Sequence, residues 1–198
     1  MKKQTPGKPV SLLRILLVVL ISMLLLAAYQ TQKVHLNEYY LYLTEERKDA
    51  SFAFSELSEE WNEQHIKARF SSYPMSCHPY KNGARACGVD VKSHNGVPAM
   101  FISFFLVSDR LHEVAVNVPL WSRSEAEGSL LRTLGTPASA QLLPRDGIRL
   151  IGWKLLDGSA VFLNRDPNIL PPFRNSVYWR SPSSCANNSC FETVRSAK

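Results

Sequence analysis

The first 28 residues contain no Asp or Glu, and no cysteine occurs before Cys77. The missing early cysteine excludes a lipoprotein anchor. HExxH, GxSxG, SxxK, a Walker loop and GxGxxG are all absent, which removes the usual signatures of zinc-dependent and nucleophilic hydrolysis, phosphate cradling and dinucleotide binding. His35, His65, His78, His94 and His112 form no pair at helical spacing on one segment. Neither CxxC nor CxxCH occurs, so thiol oxidoreduction and haem attachment have no support. There is no internal repeat and no low-complexity tract. The expectation is a protein that is not an enzyme and carries no metal or cofactor.

What the first residues do contain is a basic start and an apolar run. Val10 to Tyr29 is twenty residues long with one charge, Arg14, and at about 1.5 Å per residue it reaches roughly 30 Å, the hydrocarbon thickness of a bilayer. Lys2, Lys3, Lys8 and Arg14 lie before or on its first turn, while Lys33 follows it among Glu38, Glu45 and Glu46. The positive-inside rule then keeps the amino terminus in the cytoplasm. Arg14 can snorkel to the headgroups along its own stem. A cleavable signal is the competing reading, because the run ends in Ala27 and Ala28. A cut after either alanine places Leu25 or Leu26 three residues before the bond, where small residues are usual, so an uncleaved anchor is expected. The expected organisation is a cytoplasmic tail over 1–9, a transmembrane signal-anchor helix over 10–29, a helical stalk or linker over 30–48 and a periplasmic domain over 49–198.

The formal charge of +6 is mostly topogenic, since removal of the four basic residues of the leader leaves 19 Lys plus Arg against 17 Asp plus Glu. No basic cluster interleaved with aromatics survives, so nucleic acid is not an expected partner. Cys77, Cys87, Cys185 and Cys190 are the only cysteines, all on the exported side, where disulfides persist. Equal arms around Asn82 in Lys81-Asn82-Gly83 set Cys77 opposite Cys87 across a hairpin, and Cys185 and Cys190 bracket a short polar loop. A metal cluster at Cys77, His78 and Cys87 lacks a second knuckle.

Along the stalk, Leu36, Tyr39, Tyr40 and Leu43 recur at helical spacing. Ala50, Phe54, Leu57, Trp61, His65 and Ala68 make a second stripe, with a helix expected over Ser58 to Arg69. Strands are predicted over Arg69 to Pro79, Ala84 to Lys92, Ala99 to Val107 and His112 to Val118, with turns at Lys81-Asn82-Gly83, Asn95-Gly96 and Ser108-Asp109-Arg110. Met100 to Leu106, apolar except for Ser103, suggests a central strand covered on both faces or close to it. Ser124-Glu125-Ala126-Glu127 reads as a capping box, opening a helix that Gly135 and Pro137 close. Ile148 to Leu156 and Ser159 to Leu163 form a hairpin at Asp157-Gly158, and Ser176 to Arg180 supplies a further strand. The order implies an α+β fold: the transmembrane helix, then an antiparallel sheet with two or three helices packed on it. The run from the capped helix through Leu134-Gly135-Thr136-Pro137 to a tryptophan strand and a meander resembles small envelope modules of the BamE and β-lactamase-inhibitor-protein kind. No functional residue is carried over from that likeness.

Asp109, His112 and Glu113 lie close in sequence, but at a turn, where polar residues are expected anyway. The candidate partner-binding residues are Pro171, Pro172, Phe173, Arg174, Tyr178 and Arg180. A proline loop is pre-set for recognition at low entropic cost, and aromatic and Arg side chains dominate interface hot spots. Alternation assigns Trp179 with Val177 to the core and Tyr178 with Arg180 to the surface. The expected function is therefore that of a single-pass inner-membrane protein whose non-catalytic periplasmic domain serves as an accessory or interaction subunit of an envelope assembly, secretion or signalling complex. Its expected partners are the lipid bilayer, through residues 10–29, and an envelope protein, with no small-molecule substrate evident. The alternative is a secreted binding or inhibitor domain released by signal peptidase. A eukaryotic type II membrane protein would show the same charge asymmetry, and Asn187-Asn188-Ser189 would then be a glycosylation acceptor.

Overall fold

The computed structural model describes residues 12–142, 149–165, 174–188 and 190–191. It begins with a helix, α1 (Leu12–Thr44), of 33 residues. The extended segment that follows carries β1 (Asp49–Ala50) and leads to α2 (Glu63–Arg69). Next come β2 (Met75–Pro79), β3 (Arg85–Asp90), β4 (Ser93–His94), β5 (Val97–Pro98), β6 (Phe101–Val107) and β7 (Arg110–Pro119). The helix α3 (Arg123–Leu134) precedes β8 (Ser139–Leu142), β9 (Arg149–Lys154), β10 (Ala160–Asn164) and β11 (Arg174–Arg180).

The result is an α+β fold built on one eight-stranded antiparallel sheet in the order β2-β3-β6-β7-β11-β10-β9-β8. Two four-stranded meanders make up that order. The first runs β2, β3, β6, β7; α3 then carries the chain to the far edge, and the second meander returns from β8 so that β11 pairs with β7. A small separate sheet joins β1 in parallel to β4, which forms a hairpin with β5. Positive φ at Asn82 and Gly83, and at Asn95 and Gly96, turns two of these hairpins tightly, as the right-handed strand twist favours.

One face of the sheet builds the main core. Phe104, Val114, Trp179, Val161 and Trp153 lie side by side across five strands and are buried. Phe52, Phe54, Leu57, Ile66 and Phe70 cover them from the segment around α2, and Ala126 and Leu130 from α3. Both tryptophans satisfy their indole N–H groups, Trp153 on the Gly135 carbonyl at 2.8 Å and Trp179 on the Ser159 hydroxyl at 3.2 Å. The opposite face holds a smaller cluster at the β9-β10 end, where Leu150, Ala160, Phe162, Cys185 and Cys190 pack with Tyr178 and Phe191. Gly152 is required there, because a Cβ would stand 2.8 Å from the Phe162 ring.

Both expected disulfides are present, Cys77–Cys87 and Cys185–Cys190. Cys77 stands directly opposite Cys87 in the β2-β3 register.

Three element readings are corrected. The helix expected over Ser58 to Arg69 starts only at Glu63, because the Asn62 side chain accepts from the His65 N–H at 2.9 Å and caps it there. The strand expected from Arg69 begins at Met75, since α2 and the turn after it occupy the residues before. The capping box fails: α3 grows out of a 3-10 turn at Leu120–Ser122, so Ser124 is already inside the helix. Its first residue, Arg123, is fixed by donation to the carbonyls of Asn164 and Arg165 and by an ion pair with Glu127 at 2.7 Å. β6 is central, between β3 and β7, with one face buried and the other partly covered as far as Phe105.

Among the described residues no helix is long and apolar enough to cross a membrane. The side chains of Ile15 to Ile21, Met23 and Leu26 are exposed on α1. At its other end α1 is tied to the domain. The Leu120 N–H donates to the Tyr39 hydroxyl at 3.3 Å, the Tyr42 hydroxyl donates to the Lys92 carbonyl at 3.0 Å, and Trp121 packs on Tyr39 with ring centroids 5.5 Å apart. Just beyond the helix Arg47, with its side chain 8% exposed, donates to the Met100 carbonyl at 2.8 Å and pairs with Glu45 at 2.8 Å.

Candidate functional site

The strand β11 separates its two faces as alternation requires: Val177 and Trp179 enter the core, while Tyr178 and Arg180 stand on the other face, half-buried. Arg180 is engaged within the molecule. Its Nε lies 2.9 Å from Glu113 Oε2, and its guanidinium sits 5.7 Å from the Phe162 ring centroid. Arg174 opens β11 opposite Pro119. Pro171, Pro172 and Phe173 lie outside the described residues; of that group the described side chains are Tyr178 and Arg180, which share one face of β11.

The acid-base grouping of Asp109, His112 and Glu113 does not assemble. Glu113 belongs to Arg180, and Asp109 sits in the turn before β7 with positive φ. The His112 ring meets the Ser184 hydroxyl instead, at 3.0 Å from Nδ1 and 3.2 Å from Nε2. A hydroxyl so nearly equidistant lies off the in-plane lone pair of either nitrogen, which is poor geometry for proton transfer. At the β2-β3 hairpin, the Glu63 carboxylate lies near Cys77 and Cys87. With the cysteines bridged, no thiolate faces it, and Glu63 holds Lys67 at 2.6 Å and Arg85 at 2.8 Å. The hydrogen bond from Lys67 keeps the Glu63 carboxyl below its ordinary range.

A cleft that no motif announced lies between α3, the sheet and the small β4-β5 hairpin, with a volume of about 160 Å³. That is room for roughly one six-membered ring. Val116 and Val118 of β7 and Val177 of β11 form its floor. Leu130 and Leu134 on α3 are one helical turn apart and form one wall, while Phe54, His94 and Asn95 form the other. The sequence places the wall residues locally: Asn95-Gly96 is the turn that folds β4 onto β5, and the Asn95 amide ties that turn to the Phe52 backbone through its N–H and C=O.

His94 is the one titratable group on this wall. Its ring packs 4.4 Å from Phe52 and 5.4 Å from Phe54, and its Nε2 lies 3.1 Å from the Phe52 carbonyl oxygen. A carbonyl only accepts, so the proton is on Nε2 and Nδ1 is an acceptor. Burial lowers its pKa to about 4, against a smaller opposing effect of the bond to Phe52. The imidazole is neutral at pH 7. Among the described residues no carboxylate, thiol, Lys or Arg lines the cleft with it; the polar groups at hand are the Asn95 amide and the hydroxyls of Ser55, Ser129 and Thr133. Such a recess accepts an apolar group and offers hydroxyls at its rim.

Sequence reasoning missed His94 because Ser93-His94-Asn95-Gly96 reads only as a turn, and its burial is set by Phe52 and Phe54, some forty residues earlier. Comparison with protein-family models, with curated proteins and with solved structures gave no match, so the likeness to small envelope modules carries no argument about this chain.

Proposed function

We propose that this chain is a single-pass inner-membrane protein, anchored through residues 10–29, whose non-catalytic periplasmic domain is an accessory or interaction subunit of an envelope assembly, secretion or signalling complex. The reading rests on the apolar run of residues 10–29 in the sequence, which the described residues alone do not make into a spanning helix, and on how α1 leaves the domain. α1 is one continuous helix of 33 residues, apolar and exposed along Ile15 to Ile21, and clamped to the folded domain at Tyr39 and Tyr42 with Arg47 just beyond it. Bare apolar side chains on a helix call for a lipid or protein surround. The acid-free start and the basic residues around it orient that helix. Two disulfides suit the oxidising side of the membrane. Action by contact is supported by the character of the cleft: its one titratable group is a neutral imidazole, and its volume suits a single apolar group.

Intact mass of the native-level protein, taken without reductant after fractionation of the cells, tests this. The expected result is the full-length mass less four hydrogens, in the membrane fraction. A chain beginning at Tyr29 in the soluble fraction would overturn the anchor and leave a released binding domain.

A further inference from the structure

The part of α1 that stands clear of the expected span carries Leu36, Tyr40 and Leu43, exposed 50%, 64% and 70%. At 3.6 residues per turn these three fall within an arc of about 60°. Glu38 and Leu41, which line the groove against the sheet, and Tyr42, which bonds to Lys92, lie on the opposite side of the helix. Tyr39, which accepts from Leu120 and carries Trp121, flanks the stripe on one side, so the domain touches its edge and leaves these three side chains uncovered. The bilayer does not cover them either. With the span ending near Tyr29, the three residues stand roughly 10 to 20 Å further out, beyond a headgroup layer of about 5 to 8 Å.

The steps of four and three residues between them are those of a coiled-coil seam. In the sequence the same steps lead back through Lys33, Tyr29, Leu26, Ser22, Val19 and Ile15, a row that is apolar or aromatic except at Lys33 and Ser22. Ile15, Val19 and Leu26 are exposed as well.

We infer that the occupant of this face is the same face of a second copy of the chain, running parallel and in register. The inference rests on the anchored reading above. Two copies inserted by the same segment with the same orientation are parallel and sit at the same depth, so Leu36 meets Leu36, Tyr40 meets Tyr40 and Leu43 meets Leu43 with no further recognition. Ser22 is small enough for close approach within the span. Lys33 can extend its ammonium sideways, and a single polar seam position fixes register at some cost in stability. The stalk stripes alone would bury only about 700 Å² in total, less than the roughly 1,200 Å² of a stable soluble interface. Confinement of both helices in one membrane and the seam inside it must supply the remainder. The association is therefore a property of the full-length, membrane-held chain.

Single cysteines introduced into the full-length protein test this, because the four native cysteines are all bridged. Membranes carrying Leu36→Cys, Tyr40→Cys, Leu43→Cys, Asn37→Cys or Leu41→Cys are treated with a mild oxidant, and the product masses are read without reductant. The first three should give a product of twice the chain mass in several-fold greater yield than the last two. Equal yields at all five positions, or no dimer at any while the chain stays in the membrane fraction, would overturn the seam and leave the anchor standing. A product of another mass at positions 36, 40 and 43 would assign the face to a different protein and also overturn it. A chain recovered outside the membrane would remove the register argument together with the anchor.

Discussion

At the scale of single residues, His94 shows how a fold changes a side chain's chemistry. Phe52 and Phe54 take its ring out of water, and the imidazolium form is disfavoured until about pH 4. The unfolded chain, with an ordinary histidine near 6.5, binds that proton earlier, so between pH 6.5 and 4 the unfolded state holds more protons and stability falls as the pH falls. The full effect over that window is of the order of 3 kcal/mol. Wild type should therefore lose urea resistance between pH 7 and pH 5, and His94→Gln should lose markedly less. Glu59 and Glu63, both held below the ordinary carboxylate range by hydrogen bonds, from Ser183 and Lys67 respectively, act at still lower pH and stay silent in this comparison. Identical losses in the two proteins would mean that His94 is not the group responsible. The period of two along Val177 to Arg180 had placed Trp179 inside, which holds, and Tyr178 with Arg180 on the surface; they do take the opposite face, but that face is itself half-covered, by the cluster around Phe162 and the Cys185–Cys190 bridge. Alternation had no means of showing that Arg180 would be held by Glu113, a residue 67 positions away.

At the scale of elements, hairpins were the most legible feature. Asn82 and Gly83 can take positive φ at low cost, so Lys81-Asn82-Gly83 fixes both the turn and the register that opposes Cys77 to Cys87. Each bridge closes a short loop and should contribute roughly 2 to 3 kcal/mol. Replacing Cys77 and Cys87 together by alanine should lower the denaturation free energy by about that amount while the sheet persists, because β3 is also paired along its length to β6. Collapse of the fold in that variant, seen as loss of near-ultraviolet circular dichroism, would show that the edge hairpin depends wholly on its bridge. Helix starts were less legible. The sequence offered Ser124 as a cap, and the real start of α3 is determined by Arg123 reaching carbonyls at the end of β10. Such a distant anchor has no local signature.

At the scale of the whole molecule, the junction between α1 and the domain is the feature with most consequence for function. Arg47 stands at it, its guanidinium largely buried and shared between the Met100 carbonyl and the carboxylates of Glu45 and Asp90. Arg47→Ala should release the junction by about 2 kcal/mol, or roughly thirtyfold more of the locally opened state. Limited trypsin digestion at Lys48 should speed up accordingly, with the domain's own denaturation midpoint little changed. An unaltered cleavage rate would show that Tyr39 and Tyr42 hold the helix without it. Of the tyrosine-rich stretch, the fold uses Tyr39 and Tyr42 as domain contacts and leaves Tyr40 exposed. Three neighbours in sequence thus have different surroundings, because 100° of rotation per residue separates them.

By itself the sequence determined the antiparallel α+β class, the two local disulfides and the alternation of β11, because each depends on turn chemistry or periodicity within about ten residues. Tertiary structure alone decided that the second meander closes β11 onto β7, that α3 roofs a cleft beside His94, and that α1 presents Leu36, Tyr40 and Leu43 away from the domain. Those outcomes are set by contacts between residues tens of positions apart, whose pairing is chosen by burial and shape in three dimensions and leaves no periodic mark along the chain.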